Sequence, residues 1–232
     1  MHKSEIPAAA LERIARRGAM KPIVIDPART AHVVIDLQVG FVAPGAISEV
    51  PFTRDIIDNV NSISAAVRDA GGLNVFIRFV VDPDEPLKWT SWNDRLSDEM
   101  QAAMAEAFKA GAEPYQLWPA LDVRAEDAIL DKSRLSAFIP GACRLHEVLT
   151  ARGVDTLIVT GTLTNACCES TVRDAMQMGY KVLFVQDGNA TWDDESHNAT
   201  LANMAMIFAE VCTADEAVAR VGQGALKAAA AA

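Results

Sequence analysis

A three-layer α/β/α fold around a central, mostly parallel six-stranded sheet is predicted by three observations on this chain. Apolar, β-branched runs of strand length recur at residues 31–36, 74–80, 127–130, 156–160, 180–186 and 211–213. Most are separated by segments with apolar residues at helical spacing, the pattern of βαβ units, whose strands lie parallel. Finally, Asp36, Lys132 and Cys167 each follow a different run, at the rim where open α/β sheets bind ligands. The architecture is Rossmann-like, but no phosphate loop of the G-x-x-x-x-G-K type occurs.

The 232 residues suit one domain or a tight pair, and 50% hydrophobic content is enough to bury a core without metal or disulfide staples. The reading divides the chain into an N-terminal arm (1–29), a domain (30–222) with an insertion at 82–119, and an Ala-rich tail (223–232). A net charge of -10 argues against a nucleic-acid partner, whose phosphates it would repel. Four cysteines without C-x-x-C spacing or a histidine cluster fit a reduced, cytoplasmic protein better than a disulfide framework or zinc site. No apolar run approaches the ~20 residues of a membrane span, and the first residues lack the apolar core of a signal peptide.

The elements follow in order. Ala8 to Arg17 is helix-like and Pro22 and Pro27 end it, giving an arm to pack on the domain or on a neighbouring subunit. Ala31–Asp36 is an apolar strand stopping on a carboxylate, and His32 at its start reads as structural. Thr53–Ala70 carries Ile56, Ile57, Val60, Ile63 and Val67 at helical spacing and closes on Gly71-Gly72. After the second strand, the 82–119 segment is too long for a plain βα loop, so it is a lid or an oligomer contact. It holds three of the four tryptophans, Trp89, Trp92 and Trp118. Aromatic residues so placed serve as core or interface more often than as ligand-stacking groups. A helix at 141–152 leads to the fourth strand. Another covers 195–210, and a last one spans 214–221.

The sharpest stretch runs from Ile158 to Ala175: apolar strand, Gly161 and a Thr/Asn turn, then a helix with Cys167 in its first turn. Free N–H groups and the positive dipole end there favour a thiolate and can hold an oxyanion. A thiol of pKa ~8.5 still needs a base, which Asp36 can supply, with Lys132 balancing the charge. No histidine is placed for that job: His146 is mid-helix and His197 follows an acidic loop. The bland alternative is an inert buried cysteine. Cys168 diverges from Cys167 by about 100° around a helix axis, so only one of the two can face the rim.

Three pieces together resemble the isochorismatase-like cysteine hydrolases: Val34–Gln38 with Phe41, Asp131-Lys132 with Ser136–Phe138, and Thr160–Thr171 with Arg173-Asp174. The resemblance implies C–N hydrolysis of a small amide, ureido or carbamoyl compound through a thioester, with Asp36, Lys132 and Cys167 as the triad. It also implies a cis Thr162–Leu163 peptide and an oxyanion hole from the N–H groups of Leu163 and Cys167. Metal-binding nicotinamidases of this kind use an Asp and two His in the insertion. This insertion has no histidine, so no metal and no cofactor is expected. Glu169 and Arg173, four apart, pair with each other rather than with substrate.

Phe41, Trp89, Trp92 and Phe138 flank the rim and are candidate pocket walls. The partners implied are a small substrate and water, and the tryptophan-rich insertion suggests a homo-oligomer, dimer or tetramer. Rival readings are a vinyl ether hydrolase of the isochorismatase type, needing only Asp36 and Lys132, and a non-catalytic binding or redox module. For Lys132 to reach the thiol, the third strand is expected between the first and fourth, since neighbouring strands lie ~4.8 Å apart.

Overall fold

The computed structural model describes residues 1–18, 21–85 and 88–231. Six strands form one sheet: β1 (Thr30–Ile35), β2 (Leu73–Phe79), β3 (Ala128–Lys132), β4 (Thr156–Thr162), β5 (Lys181–Ala190) and β6 (Glu210–Cys212). Every adjacent pair is parallel. Nine helices are described: α1 (Ala8–Arg16), α2 (Val39–Val42), α3 (Ile57–Asp69), α4 (Thr90–Asn93), α5 (Asp98–Phe108), α6 (Leu145–Ala151), α7 (Glu169–Gln177), α8 (Asp194–Asn203) and α9 (Ala214–Ala231).

Strands buried on both faces need apolar residues at successive positions, and β1 and β4 supply them with every residue buried. On one face Val33, Ile35, Val75, Val159 and Phe184 meet Leu145 and Leu149 of α6 and Val172 and Ala175 of α7. On the other, Ile158 and Leu183 meet Ile63 and Val67 of α3 and Ala217 and Val221 of α9. His32 sits inside this second layer, its Nδ1 3.1 Å from Ser64 Oγ and its Nε2 2.8 Å from Thr160 Oγ1. Burial pushes its pKa down to about 3, so it stays neutral. It is a structural histidine.

The sheet order is β3-β2-β1-β4-β5-β6, so the third strand lies outside the second and not beside the first. The expected order is wrong, although its motive survives. Strand spacing alone put Lys132 out of reach, but β3 runs on to Lys132 itself, level with Phe79 at the end of β2. From there a four-carbon side chain crosses the end of β2 towards β1. The switch point lies between β1 and β4, where the chain leaves the sheet centre in opposite directions and a crevice opens.

Other boundaries move for local reasons. Residues 223–231 continue α9 instead of forming a tail, since alanine is the strongest helix former. The helix expected over 195–210 ends at Asn203 and passes into a π-type turn, Met204–Phe208. The arm folds back on its own domain: His2 Nδ1 meets Asp194 Oδ1 at 2.8 Å, and the Glu5 N–H donates to Asn198 Oδ1 at 2.8 Å.

One glycine is fixed by geometry. Gly161 has φ 130°, and a Cβ built on it would lie 2.1 Å from the Ile35 carbonyl oxygen in the neighbouring strand. Only the absence of a side chain lets β1 and β4 close at the site end. Gly161→Ala should therefore cost more than about 3 kcal/mol in a urea unfolding experiment. A loss below about 1 kcal/mol would show that the strand ends can part without penalty.

Candidate active site

Asp36, Lys132 and Cys167 come together at the carboxyl ends of β1, β3 and β4. Asp36 leaves β1 with φ 55°, a left-handed conformation that aspartate tolerates better than most residues. Its N–H donates to the Ile77 carbonyl at 2.9 Å, which keeps the turn tied to β2. Gln38 secures the same loop from inside. Its Nε2 donates to the carbonyls of Phe79 and Tyr115 at 2.9 and 2.8 Å, and its Oε1 accepts from the Phe79 N–H at 2.6 Å.

Lys132 is fully buried, and its ammonium has three donors. One faces Asp36 Oδ2 at 2.7 Å, one the Arg134 carbonyl at 2.9 Å, and one Cys167 Sγ at 3.3 Å. The Phe79 ring lies under the ammonium, 5.2 Å from its centroid. The Asp36 contact is a buried ion pair, and the Cys167 thiol is a second hydrogen-bonding neighbour of the carboxylate.

Cys167 lies in a π-type turn, Thr164–Cys168, rather than in the first turn of α7, which begins at Glu169. The Thr162–Leu163 peptide that precedes it is cis. Thr171 Oγ1 donates to the Cys167 carbonyl at 2.7 Å and accepts from the Ala137 N–H at 3.2 Å, joining the Ser136–Phe138 segment to the turn. Cys168 is fully buried in the core.

Electrostatics set the protonation state. Burial, then the Asp36 charge, push the Cys167 thiol up to about 12, outweighing Lys132. The pull of Lys132 towards a thiolate is thus outweighed, and the thiol still needs a base to give up its proton. Burial also raises Asp36 above the ordinary carboxylate range against the pull of Lys132, which makes it a stronger base. Burial pulls Lys132 down, but Asp36 and Cys167 outweigh it and hold the ammonium charged. The site thus pairs a protonated thiol with a charged ammonium.

A cavity of about 360 Å³ lies on the side of Phe79, Ser133 and Arg134, with Trp89, Trp92 and Glu85 also in its wall; Asp36, Lys132 and Cys167 do not line it. Trp89 has one ring neighbour in Trp92, 5.4 Å away, and another in the Arg134 guanidinium, 5.1 Å away, so much of its ring is engaged in packing. Phe41 is buried against Phe108 instead, and Phe138 packs on Tyr180 at 5.4 Å; neither lines the cavity. Of the four aromatic candidates the structure brings only the tryptophans to it.

Among the described residues no group of three or more His, Cys, Asp and Glu is placed to hold a metal ion. The acids of the cavity wall stand without imidazoles, and Glu85 is held by Arg134 at 3.0 Å. The Glu169–Arg173 pair forms as spacing predicts, at 2.6 Å. Sequence reasoning missed Gln38 as the loop's internal anchor and His197, whose Nδ1 lies 3.0 Å from Thr164 Oγ1. No spacing rule marks either one, since both act across elements distant in the chain.

Known proteins agree with this geometry. Residues 30–216 match the family model described as the isochorismatase domain. Nicotinamidase 3 of Arabidopsis thaliana is 42% identical over 94 residues, 40% of this chain and 46% of that protein, so the match spans under half of that relative. Ureidoacrylate amidohydrolase RutB of Methylobacterium radiotolerans is 32% identical, over 81% of this chain and 78% of its own. The crystal structure of a cysteine hydrolase from Pseudomonas syringae superposes with a TM-score of 0.77 at 30% identity, covering 89% of this chain and 100% of that one. With the domain match covering most of its length, the chain belongs to the isochorismatase family of hydrolases.

Proposed function

We propose that this hydrolase cleaves the C–N bond of a small amide, ureido or carbamoyl compound through a thioester on Cys167. One observation carries the reading: a single buried ammonium touches both a carboxylate and a thiol, with no water-exposed group in the set. Asp36 takes the Cys167 proton as the sulfur attacks the carbonyl carbon, so thiolate character arises only when an electrophile is present. The oxyanion forms beside the N–H groups of Leu163 and Cys167. Among the described residues the Leu163 N–H donates to no other backbone carbonyl, in keeping with that role. Protonated Asp36 then gives its proton to the departing nitrogen, and the C–N bond breaks to leave the thioester. Water, deprotonated by Asp36, cleaves the thioester and restores the thiol. Lys132 stays charged throughout and steadies Asp36 in its ionised form. The cavity beyond Phe79, Ser133 and Arg134, with Trp89 and Trp92 in its wall, is the proposed substrate site.

A screen of ammonia release over small amides and ureido acids tests the activity. Cys167→Ser should lower kcat at least 1,000-fold on any substrate found, on the order of losses at other covalent nucleophiles. Cys168→Ala should keep most of the activity and lose about 1–2 kcal/mol of stability, since it removes a buried sulfur from the core. An inactive but folded Cys168→Ala beside an active Cys167→Ser would move the nucleophile by one residue.

The protonation state gives a pH test. With its pKa pushed to about 12, Cys167 is a thiol at neutral pH, and the thiolate fraction rises with pH. Alkylation by iodoacetamide, read by intact mass, should accelerate steadily from pH 6 to pH 9 without a plateau. Fast labelling at pH 6, unchanged at pH 9, would mean that the thiolate already exists at rest.

A further inference from the structure

We infer that His197 is a positioning residue for the nucleophile turn, acting through Thr164 and held from behind by the segment His2–Glu5. The inference rests on the thioester reading above. Its starting point is a buried titratable side chain for which that mechanism has no use. His197 is fully buried on α8, with Nδ1 3.0 Å from Thr164 Oγ1 and Nε2 3.3 Å from Ser4 Oγ. Thr164 is the first residue of the turn that carries Cys167.

The contact belongs to a row. Thr191 Oγ1 donates to Asn165 Oδ1 at 2.8 Å just before α8, and Thr200 Oγ1 donates to Glu169 Oε2 at 2.7 Å further along it. These three bonds meet the turn at Thr164 and Asn165 and the start of α7 at Glu169. A π-type turn has poorer internal hydrogen bonding than an α-helical one, so its shape depends more on outside partners. Of the three, the His197 bond is the one made by a fully buried pair, out of competition with water.

The strap fixes the imidazole in turn. The His2 ring stacks on His197 with centroids 4.3 Å apart and planes 14° from parallel. His2 is itself anchored, Nδ1 to Asp194 Oδ1 at 2.8 Å and Nε2 accepting from the Thr191 N–H at 3.0 Å. Asn198 Nδ2 donates to the Lys3 carbonyl at 3.0 Å, and the Lys3 N–H reaches Asp194 Oδ1 at 3.3 Å. Burial and the neighbouring His2 lower the His197 pKa to about 4, so the ring is neutral and one nitrogen remains an acceptor. Its distance from the sulfur is bridged by Thr164, so it moves no proton of the reaction.

Three variants test this. Asparagine places an amide where Nδ1 stood, and glutamine places one where Nε2 stood. Thr164→Val deletes the hydroxyl and keeps the shape. His197→Gln and Thr164→Val should each lower kcat about fivefold to tenfold with KM unchanged, the size of one lost buried hydrogen bond. The double variant should lose no more than either alone. His197→Asn should restore kcat to within about twofold of the parent, given the same hydrogen-bond magnitude. Iodoacetamide alkylation of Cys167 should follow the same order, slower in the first two variants, and it needs no substrate. Silence of the parent protein in the amide screen would overturn the hydrolytic reading alone, because the alkylation series still reads the turn. Parental kcat and alkylation rate in His197→Gln and Thr164→Val would overturn the inference. So would losses that track the thermal midpoint across all three variants, asparagine included.

Discussion

The site depends on one buried ion pair. Lys132 and Asp36 are both inaccessible to solvent, and their charges meet at 2.7 Å. Taking a carboxylate and an ammonium out of water costs several kcal/mol each, which mutual attraction repays only when the remaining donors are satisfied. Lys132 meets that condition by adding the Arg134 carbonyl and the Cys167 sulfur. The same full coordination leaves the ammonium with a single orientation. A site arranged this way cannot rotate its cation towards solvent, so its charge stays on the reacting groups.

Much of the surrounding fold serves to bring those ends together. Lys132 and Asp36 sit on strands separated by β2, and the lysine bridges the gap only because β3 extends level with Phe79. The Phe79 ring faces the ammonium, and the Phe79 backbone is tied to the Asp36 loop by Gln38. Gly161 lets β4 approach β1 closely enough for the cysteine turn to arrive from the other side. Each of these is a packing or backbone feature with no chemistry of its own. Together they set distances that the chemistry requires within tenths of an ångström.

Burial also explains the resting thiol. In water a nearby ammonium would lower the pKa of a cysteine. Here the low-dielectric surroundings penalise any added charge, and Asp36 already supplies the anion that Lys132 balances. The proton is therefore held on sulfur at neutral pH. A thiol so held is less open to adventitious oxidation than a free thiolate, because oxidation follows thiolate character and exposure.

What the sequence determined by itself was the local grammar. Strand-length apolar runs marked all six strands, and helical spacing placed most of the helices between them. Asp36, Lys132 and Cys167, which end or follow three of those runs, do meet at one rim, because in a parallel sheet all strand ends of one polarity share an edge. Tertiary structure alone decided what depends on distance between elements remote in the chain. It set the strand order, since a lysine's reach can replace adjacency. It chose which aromatics face the cavity, since Phe41 and Phe138 find better burial against Phe108 and Tyr180 than at the rim. It also buried Cys167, which raises its pKa, and brought His197 to Thr164. Desolvation and cross-element hydrogen bonds arise only when the chain is packed, and no spacing along it encodes them.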